Sequence, residues 1–541
     1  MAEQHAGART LRSRLDRLTT PGALFVSAVM AVALLPVTGV IRDPDFWWHL
    51  RTGQIIVQTH ALIPTDPFTY TVSNHAWTMH EWLTEVLFAL LNQVGGLALI
   101  VLVLSVVTWL GVVCILQRAR LRNPGMVVLG VGLLLAIVAG YPIWGPRAQM
   151  LTFALSCVVL LMVDRHLRSG GRAVWLLVPL FLVWSNLHSG FIIGLGFLAV
   201  IVVAELVGAR LRMPEGAAAS RVKTLALVLL ACAAVAMINP NGPGILLYAF
   251  QTQGSPAQQS LIAEWHSPDF HDWQVRPFEL MLLSLAALAV INRRMRARDA
   301  ALLLVTTALA LQSVRHIALF VAAATPIWIE QADIFVKARL RRRTTQERPA
   351  PPLPMRVITY ATAVSVIGVF YLSSRLLPAM ATTERSVAYT KDFPVCAARW
   401  LSADPQPLRI FNQYGEGGYL AYTLSAHGDR VYVFGDAALM GDALLYDYGD
   451  VESVQPNWDS IIRESGADVV LFDTGTPLAD VMSKSSEWVQ VYKDPHSIAF
   501  ARSGSTVAAS LPPQPVSYPR GDACAAKSST AVAATAPGSG G

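Results

Sequence analysis

Long apolar runs recur along this chain, and clusters of basic residues punctuate them. The clusters fall at Arg118/Arg120/Arg122, Arg165/Arg168/Arg172, Arg210/Arg212/Arg221/Lys223, Arg293/Arg294/Arg296/Arg298 and Lys337/Arg339/Arg341/Arg342/Arg343. Several runs approach the ~20 apolar residues that cross a bilayer. Lipid offers no partner for backbone N–H and C=O groups, so such runs must be helices. Hydrophobic residues make up 53% of the chain and charged residues 14%, which agrees with a membrane protein. The net charge of +6 is excess lysine and arginine placed in short loops beside apolar runs. That placement sets orientation and argues against a nucleic-acid partner.

If every basic cluster lies on the cytoplasmic side, the chain between neighbours crosses an even number of times. This resolves two long stretches. Val174–Leu206 is broken at Ser185-Asn186-Leu187-His188-Ser189-Gly190, and Ala300–Ile329 is broken at Ser313-Val314-Arg315-His316. Both flanks of each are basic, so each becomes two short helices meeting at the break. The paired spans are then 22–41 with 96–117, 124–142 with 150–163, 174–187 with 190–208, 222–238 with 277–292, and 299–314 with 317–330. A last span, Val357–Leu377, has no return. The expected fold is an α-helical polytopic membrane protein of about eleven transmembrane helices.

The basic N-terminus, 1–21, is expected to be cytoplasmic, with Arg9, Arg12, Arg14 and Arg17 ahead of the first span. Gly22–Ile41 is longer than the apolar region of a cleaved signal peptide and lacks a small-residue cleavage site. The transmembrane domain covers 22–377, with a large first outer loop at 42–95. Residues 378–502 form an extracytoplasmic α/β domain. Its short β-rich runs (Leu408–Phe411, Arg430–Phe434, Asp468–Phe472, Ser497–Ala501) alternate with helical patterns (Gly417–Leu424, Asp442–Tyr448, Trp458–Glu464), which predicts a largely parallel sheet. Asn412–Gly418 is a tight turn after a strand, without full dinucleotide spacing. Residues 503–541, rich in Ala, Ser, Pro and Gly, read as a disordered tail. Cys396 and Cys524 share the outer region and could pair, whereas Cys114, Cys157 and Cys232 lie within spans.

Polar residues gather at the outer ends of the expected hairpins. The first loop opens with Asp43-Pro44-Asp45-Phe46-Trp47-Trp48-His49 directly after the first span. An aromatic belt at the membrane interface explains the tryptophans. It does not explain two aspartates at a helix C-terminus, where anionic groups gain nothing. Asp43 and Asp45 are therefore the leading catalytic candidates, while Asp66 before Pro67 suits a turn. Arg147 and Arg315 lie on the outer side against the orientation bias. Two guanidinium groups there suit a phosphate, with headgroup snorkelling as the plainer reading. His49, His188, Glu264 and His316 complete the candidate set. His188 could equally satisfy exposed helix ends. The sequence carries no Walker loop, zinc-helix motif or nucleophile elbow.

The acidic motif Asp43-Pro44-Asp45 just after the first span resembles that of the GT-C superfamily, multispanning glycosyltransferases that use polyprenyl-phosphate donors. More closely, the chain is similar to a group of bacterial membrane proteins over Asp43–Gly53, Pro64–Thr71, Glu81–Glu85, Asn186–His188, Asn239–Gly242, Glu264-Trp265, Arg315-His316, Phe411–Leu420 and Val431–Gly441. It departs from that pattern at Phe434-Gly435-Asp436, where the group has Asp-Gly-Arg. The spaced Asp43/Asp45 also replaces the paired Asp-Glu of protein mannosyltransferases.

The resemblance implies hexosyl or pentosyl transfer to a cell-envelope glycan, lipid or protein acceptor on the extracytoplasmic face. In that scheme Asp43 is the general base, and Asp45 aids it or binds a divalent cation such as Mg or Mn. Arg147 and Arg315 steady the leaving phosphate. The implied partners are a lipid-linked sugar donor and membrane lipids, in a bacterial plasma (inner) membrane. Arginine and alanine far outnumber lysine, which agrees with GC-rich bacterial coding. A transporter or a polysaccharide/lipid export accessory protein is the competing class. It predicts related halves and interrupted helices at the midplane, and no internal repeat is evident.

Overall fold

The computed structural model describes residues 19–213, 215–340, 352–512 and 522–525. The basic positions Arg9 to Arg17 and Arg341 to Arg343 lie outside them. Two compact units emerge. One holds the described residues up to Gly39 with Val101–Ala249 and Ala263–Met380. The other holds Val40–Ile100, Phe250–Ile262 and the described residues from Ala381 onward.

The first unit is all helical. Helices occupy the stretches expected to span: Pro21–Val32 with Leu34–Val37, Met126–Ala139, Gln149–Ser169, Leu177–Leu187, Phe191–Arg210, Ala219–Ala236, Arg276–Asn292, Ala297–Gln312, Ile317–Leu340 and Leu353–Tyr371. Among the described residues, six helices are long and apolar enough to cross a membrane. Ile317–Leu340 is the central one, with Phe320 to Ala324 buried. Leu230, Val290, Leu304 and Phe370 are exposed, as side chains facing lipid tails can be without cost.

Both expected breaks are present. His188 is extended (φ −166°) between Leu177–Leu187 and Phe191–Arg210. Its Nδ1 lies 3.1 Å from Thr152 Oγ1 and accepts the Gly190 N–H at 2.9 Å. The imidazole thus serves a helix start that would otherwise lack a partner. At the second break a 3₁₀ turn, Val314–His316, separates Ala297–Gln312 from Ile317–Leu340.

Four arginines read in sequence as orientation signals are also ion-paired and buried or largely so. Arg118 Nε meets Asp164 at 2.8 Å. Arg122 grips Asp299 through both terminal nitrogens, at 2.9 and 2.8 Å, and also Glu330 at 2.5 Å. Arg296 holds Glu330 at 2.8 and 2.9 Å, and Arg298 pairs with Glu205. Asp164, Glu205 and Asp299 are less than 5% exposed. Charges removed from water this far are tolerated only when paired.

The second unit corrects one expectation and adds detail to another. The first loop contains helix: Asp45–Thr59 is one, and a second begins at Trp82. The helix Trp82–Arg120 runs 39 residues and breaks at Gly95 (φ −145°) and Gly96 (φ +63°). Only glycine adopts the latter without steric cost, so the break falls where the expected span begins. The sheet is mixed rather than largely parallel. Its strands are β1 (Arg409–Asn412), β2 (Arg430–Val431), β3 (Val469–Asp473), β4 (Trp488–Lys493) and β5 (Ser497–Arg502), in the order β2-β1-β3-β5-β4. β1 pairs in parallel with β2 and β3, while β5 runs antiparallel to β3 and β4. The helices Gly417–Leu424, Ala437–Glu452 and Trp458–Ser465 match the expected patterns. β4 and the helix Pro477–Ser483 were not anticipated.

The first loop is part of this α/β unit. Thr69 bridges Val431 in parallel, extending the sheet beyond β2. Trp47, fully buried, packs edge-on against Tyr389, Phe393 and Tyr419 with ring centroids 5.1 to 5.5 Å apart. Cys396 and Cys524 form a disulfide. Within the expected tail, Thr506–Ser510 is a short helix. Of that tail, 513–521 and 526–541 lie outside the described residues.

Candidate functional site

Two clusters gather the candidate residues, one in each unit. In the α/β unit, Pro44 and Asp45 begin the helix Asp45–Thr59. Asp43 precedes it, only 8% exposed, and its Oδ1 accepts the Asp45 N–H at 3.3 Å. Asp45 in turn accepts from Trp48 Nε1 at 3.2 Å. An acid in the first helical turn is favoured by the helix dipole, which offsets part of the cost of holding two carboxylates together. Gly435 lies so close that a Cβ there would overlap Asp45 Oδ1.

One turn further on, His49 faces the helix starting at Trp82. Its Nδ1 is 3.1 Å from Glu85 Oε1 and its Nε2 3.5 Å from Glu81 Oε2. Glu81 also meets His80 Nε2 at 3.2 Å. Burial disfavours the charged ring, yet Glu81 and then Glu85 outweigh it and raise the His49 pKa to about 9. Burial likewise opposes charge on His80, whose pKa Glu81 raises. The imidazole of His49 is therefore a cation at neutral pH. It balances two buried carboxylates.

Sequence spacing did not predict the Glu81/Glu85 pair as partners of His49. The signal was present in an i,i+4 acid pair heading an apolar run, a pattern that puts both groups on one helix face.

The surrounding residues hold this acidic start in place. Asp436 accepts from Trp77 Nε1 at 2.7 Å and from the Leu439 N–H at 3.2 Å, capping Ala437–Glu452. The Phe434-Gly435-Asp436 turn thus has an architectural role. Asp66 accepts the N–H groups of Phe68 and Thr69 at 2.8 and 3.0 Å, the turn its proline neighbour suggested.

In the helical unit, Arg147, Glu264, Trp265, Arg315 and His316 come together. Arg147 reaches Glu264 Oε1 at 2.5 Å. The Arg315 guanidinium lies 4.5 Å from the centre of the Trp265 ring, a favourable cation–π distance. His316 meets the same ring edge-on. The two loops are tied by backbone, with Val314 N–H donating to His266 O at 3.0 Å and Ser313 Oγ to Glu264 O at 2.8 Å. Burial works against charge on Glu264, but Arg147 and then Arg315 prevail and lower its pKa. Glu264 stands here as a counter-ion to the arginines, because a carboxylate repels phosphate. His188 sits at its helix break, against Thr152 and Gly190.

No protein-family model matches this sequence, and no curated protein matches it. Solved structures do. The oligosaccharyltransferase AglB from Archaeoglobus fulgidus, in complex with an inhibitory peptide and a dolichol-phosphate, aligns over 90% of this chain and 77% of its own, at 9% identity and a TM-score of 0.52. The A. fulgidus oligosaccharyltransferase tethered to an acceptor peptide containing the NVT sequon aligns over 90% and 76%, at 12% identity and a TM-score of 0.51. ArnT from Cupriavidus metallidurans aligns over 91% and 98%, at 12% identity and a TM-score of 0.45. The chain shares the fold of the two oligosaccharyltransferase structures: a helical unit and a C-terminal domain built on a small sheet.

Proposed function

We propose that this chain is a membrane glycosyltransferase that moves a sugar from a polyprenyl-phosphate donor to a hydroxyl-bearing cell-envelope acceptor on the extracytoplasmic face. The observation that carries this reading is the placement of Asp43: a carboxylate beside a helix start, buried in a folded unit, in a chain with the GT-C fold. The Cys396–Cys524 disulfide supports an oxidising, outer location for the α/β unit.

In the proposed reaction Asp43 removes the proton from the acceptor hydroxyl. The oxygen forms a bond to the anomeric carbon as the bond from that carbon to the phosphate oxygen breaks. The electron pair leaves on the polyprenyl phosphate. Asp45 orients the helix start through Trp48 and is the residue of the pair that would hold a divalent cation, through oxygen. In the helical unit, Arg147 and Arg315 are the groups proposed to hold a lipid phosphate by charge. A guanidinium fork suits two phosphate oxygens, and the phosphate takes the place of Glu264 on Arg147.

The test is sugar transfer by purified protein in lipid nanodiscs, supplied with radiolabelled polyprenyl-phosphate sugars and a hydroxyl acceptor. The proposal expects release of polyprenyl phosphate, slowed on the order of a hundredfold or more in Asp43→Asn, the usual range for losing a general base. Wild-type rates in that variant, with its fold intact, remove Asp43 from the chemistry. Absence of any release by the wild-type protein overturns the assignment.

A further inference from the structure

The α/β unit holds a second polar cluster that glycosyl transfer does not use. Glu416 closes the turn after β1, Asp473 ends β3, and His496 immediately precedes β5. His496 Nε2 lies 2.9 Å from Glu416 Oε1 and 3.2 Å from Asp473 Oδ1. One candidate ligand atom from each of the three residues lies within 4.8 Å of the others. Glu416 is 4% exposed, and its Oε2 has no hydrogen-bond partner. Asp473 Oδ1 is likewise buried, with His496 Nε2 as its ion-pair contact. Two carboxylates share a single imidazole, so even a protonated ring leaves one negative charge unbalanced.

The position in the sheet is independent of that chemistry. The parallel strands run β2-β1-β3, so the chain leaves β1 to one side for β2 and returns on the other for β3. Glu416 and Asp473 follow the carboxyl ends of β1 and β3, the two strands flanking this reversal. Open α/β sheets bind ligands in the crevice at that point. The antiparallel β5 brings His496 to the same edge, with Ser497 opposite Asp473. Gln413 Oε1 accepts the Asp473 N–H at 2.9 Å, which joins the two strand ends.

We propose that Glu416, Asp473 and His496 form a binding site for a divalent transition-metal cation such as Zn²⁺. One imidazole and two carboxylates are a ligand set that zinc accepts. Tetrahedral coordination at about 2.1 Å separates ligands by roughly 3.4 Å, a few tenths of an ångström more than the 2.9 and 3.2 Å from His496 Nε2 to the two carboxylates. The cation neutralises the carboxylates and gives Glu416 Oε2 a partner. Asp473, with 35% of its side chain exposed, marks the solvent side. There the remaining coordination positions take water or an oxygen of a ligand.

The test uses the full chain in detergent, stripped with EDTA and titrated with Zn²⁺ alone by calorimetry, with bound metal counted after gel filtration. One ion per chain is expected, with affinity at least tenfold weaker in Glu416→Gln and in Asp473→Asn. Because Glu416→Gln could disturb folding, each variant is checked for the intact Cys396–Cys524 disulfide and for wild-type circular dichroism. A measurement on the unaltered protein runs beside these: Zn²⁺ should protect His496 from diethyl pyrocarbonate, read by mass spectrometry. Lack of stoichiometric binding overturns the site. So does wild-type affinity in Asp473→Asn together with unprotected His496, which places the ion elsewhere.

Discussion

His49 and Glu85 are 36 residues apart in sequence, and their side chains meet at 3.1 Å in a buried contact. Glu81 closes the other side of the same ring. The group is a histidine with a folded pKa of about 9 and an ordinary unfolded value near 6.5. A raised pKa gives stability that is fully present below the unfolded value. It is lost as pH rises through the folded one. The α/β unit should therefore weaken progressively between about pH 6.5 and 9, by on the order of 3 kcal/mol from this group. Chemical denaturation across that range should show the slope in the wild-type protein and a shallower one in His49→Gln. Equal slopes would mean that His49 is neutral in the folded state.

Arg147 and Glu264 make a contact of a different kind. The Glu264 side chain is 40% exposed, so solvent weakens the pair, and its loss should cost less than about 1 kcal/mol. Its depressed pKa means that any such stabilisation is lost only as pH falls below the usual carboxylate range. The larger effect should be on ligands. Glu264→Gln removes a negative charge from beside both arginines, so polyprenyl phosphate should bind several-fold more tightly. Tryptophan quenching at Trp265 would report it. Unchanged affinity would show that phosphate does not compete with Glu264.

Much of this arrangement was legible in sequence, for identifiable reasons. Apolar run length marked the helices, and the polar breaks at His188 and Arg315 marked where two of them end. Asp43, Asp45, Arg147 and Arg315 stood out because charge is costly at a membrane boundary. Partners were harder to see. Glu81 and Glu85 reach His49 only because the first loop folds into two helices, and loop length does not reveal that. Glu416, Asp473 and His496 come from three strand ends whose order in the sheet no local pattern gives. The antiparallel edge was missed for the same reason: β4 and β5 are joined by a short turn that reads like any other.

Arg122 shows how strongly the helical unit depends on buried charge. Its side chain is 1% exposed and serves Asp299, Glu330 and Asp164 together. Removing one partner of a buried ion pair leaves the others uncompensated, at a cost of about 3–5 kcal/mol. Arg122→Ala should sharply reduce the yield of folded, monodisperse protein in detergent. Arg122→Lys should rescue little of it, since an ammonium cannot reproduce the two-pronged grip on Asp299. Full recovery with lysine would show that charge alone matters at this position.

Gly435 offers a way to separate the geometry of the acidic start from its charge. A methyl group there would overlap Asp45 Oδ1 and approach Trp48 Nε1 at 3.2 Å. Backbone freedom is not the reason for glycine at this position, because its φ is not positive. The constraint is space. Gly435→Ala must therefore push Asp45 and its Trp48 hydrogen bond away, along with the Asp43 contact to the Asp45 N–H. Typical overpacking costs about 1–3 kcal/mol, which a unit closed by a disulfide can absorb. Transfer activity, if it depends on Asp43 at its present angle, should fall far more than stability does. Thermal unfolding and transfer rate measured on the same preparation would show whether the two losses part. Parallel losses would mean that the alanine acts through folding alone, and that the close approach of Gly435 to Asp45 is a matter of packing.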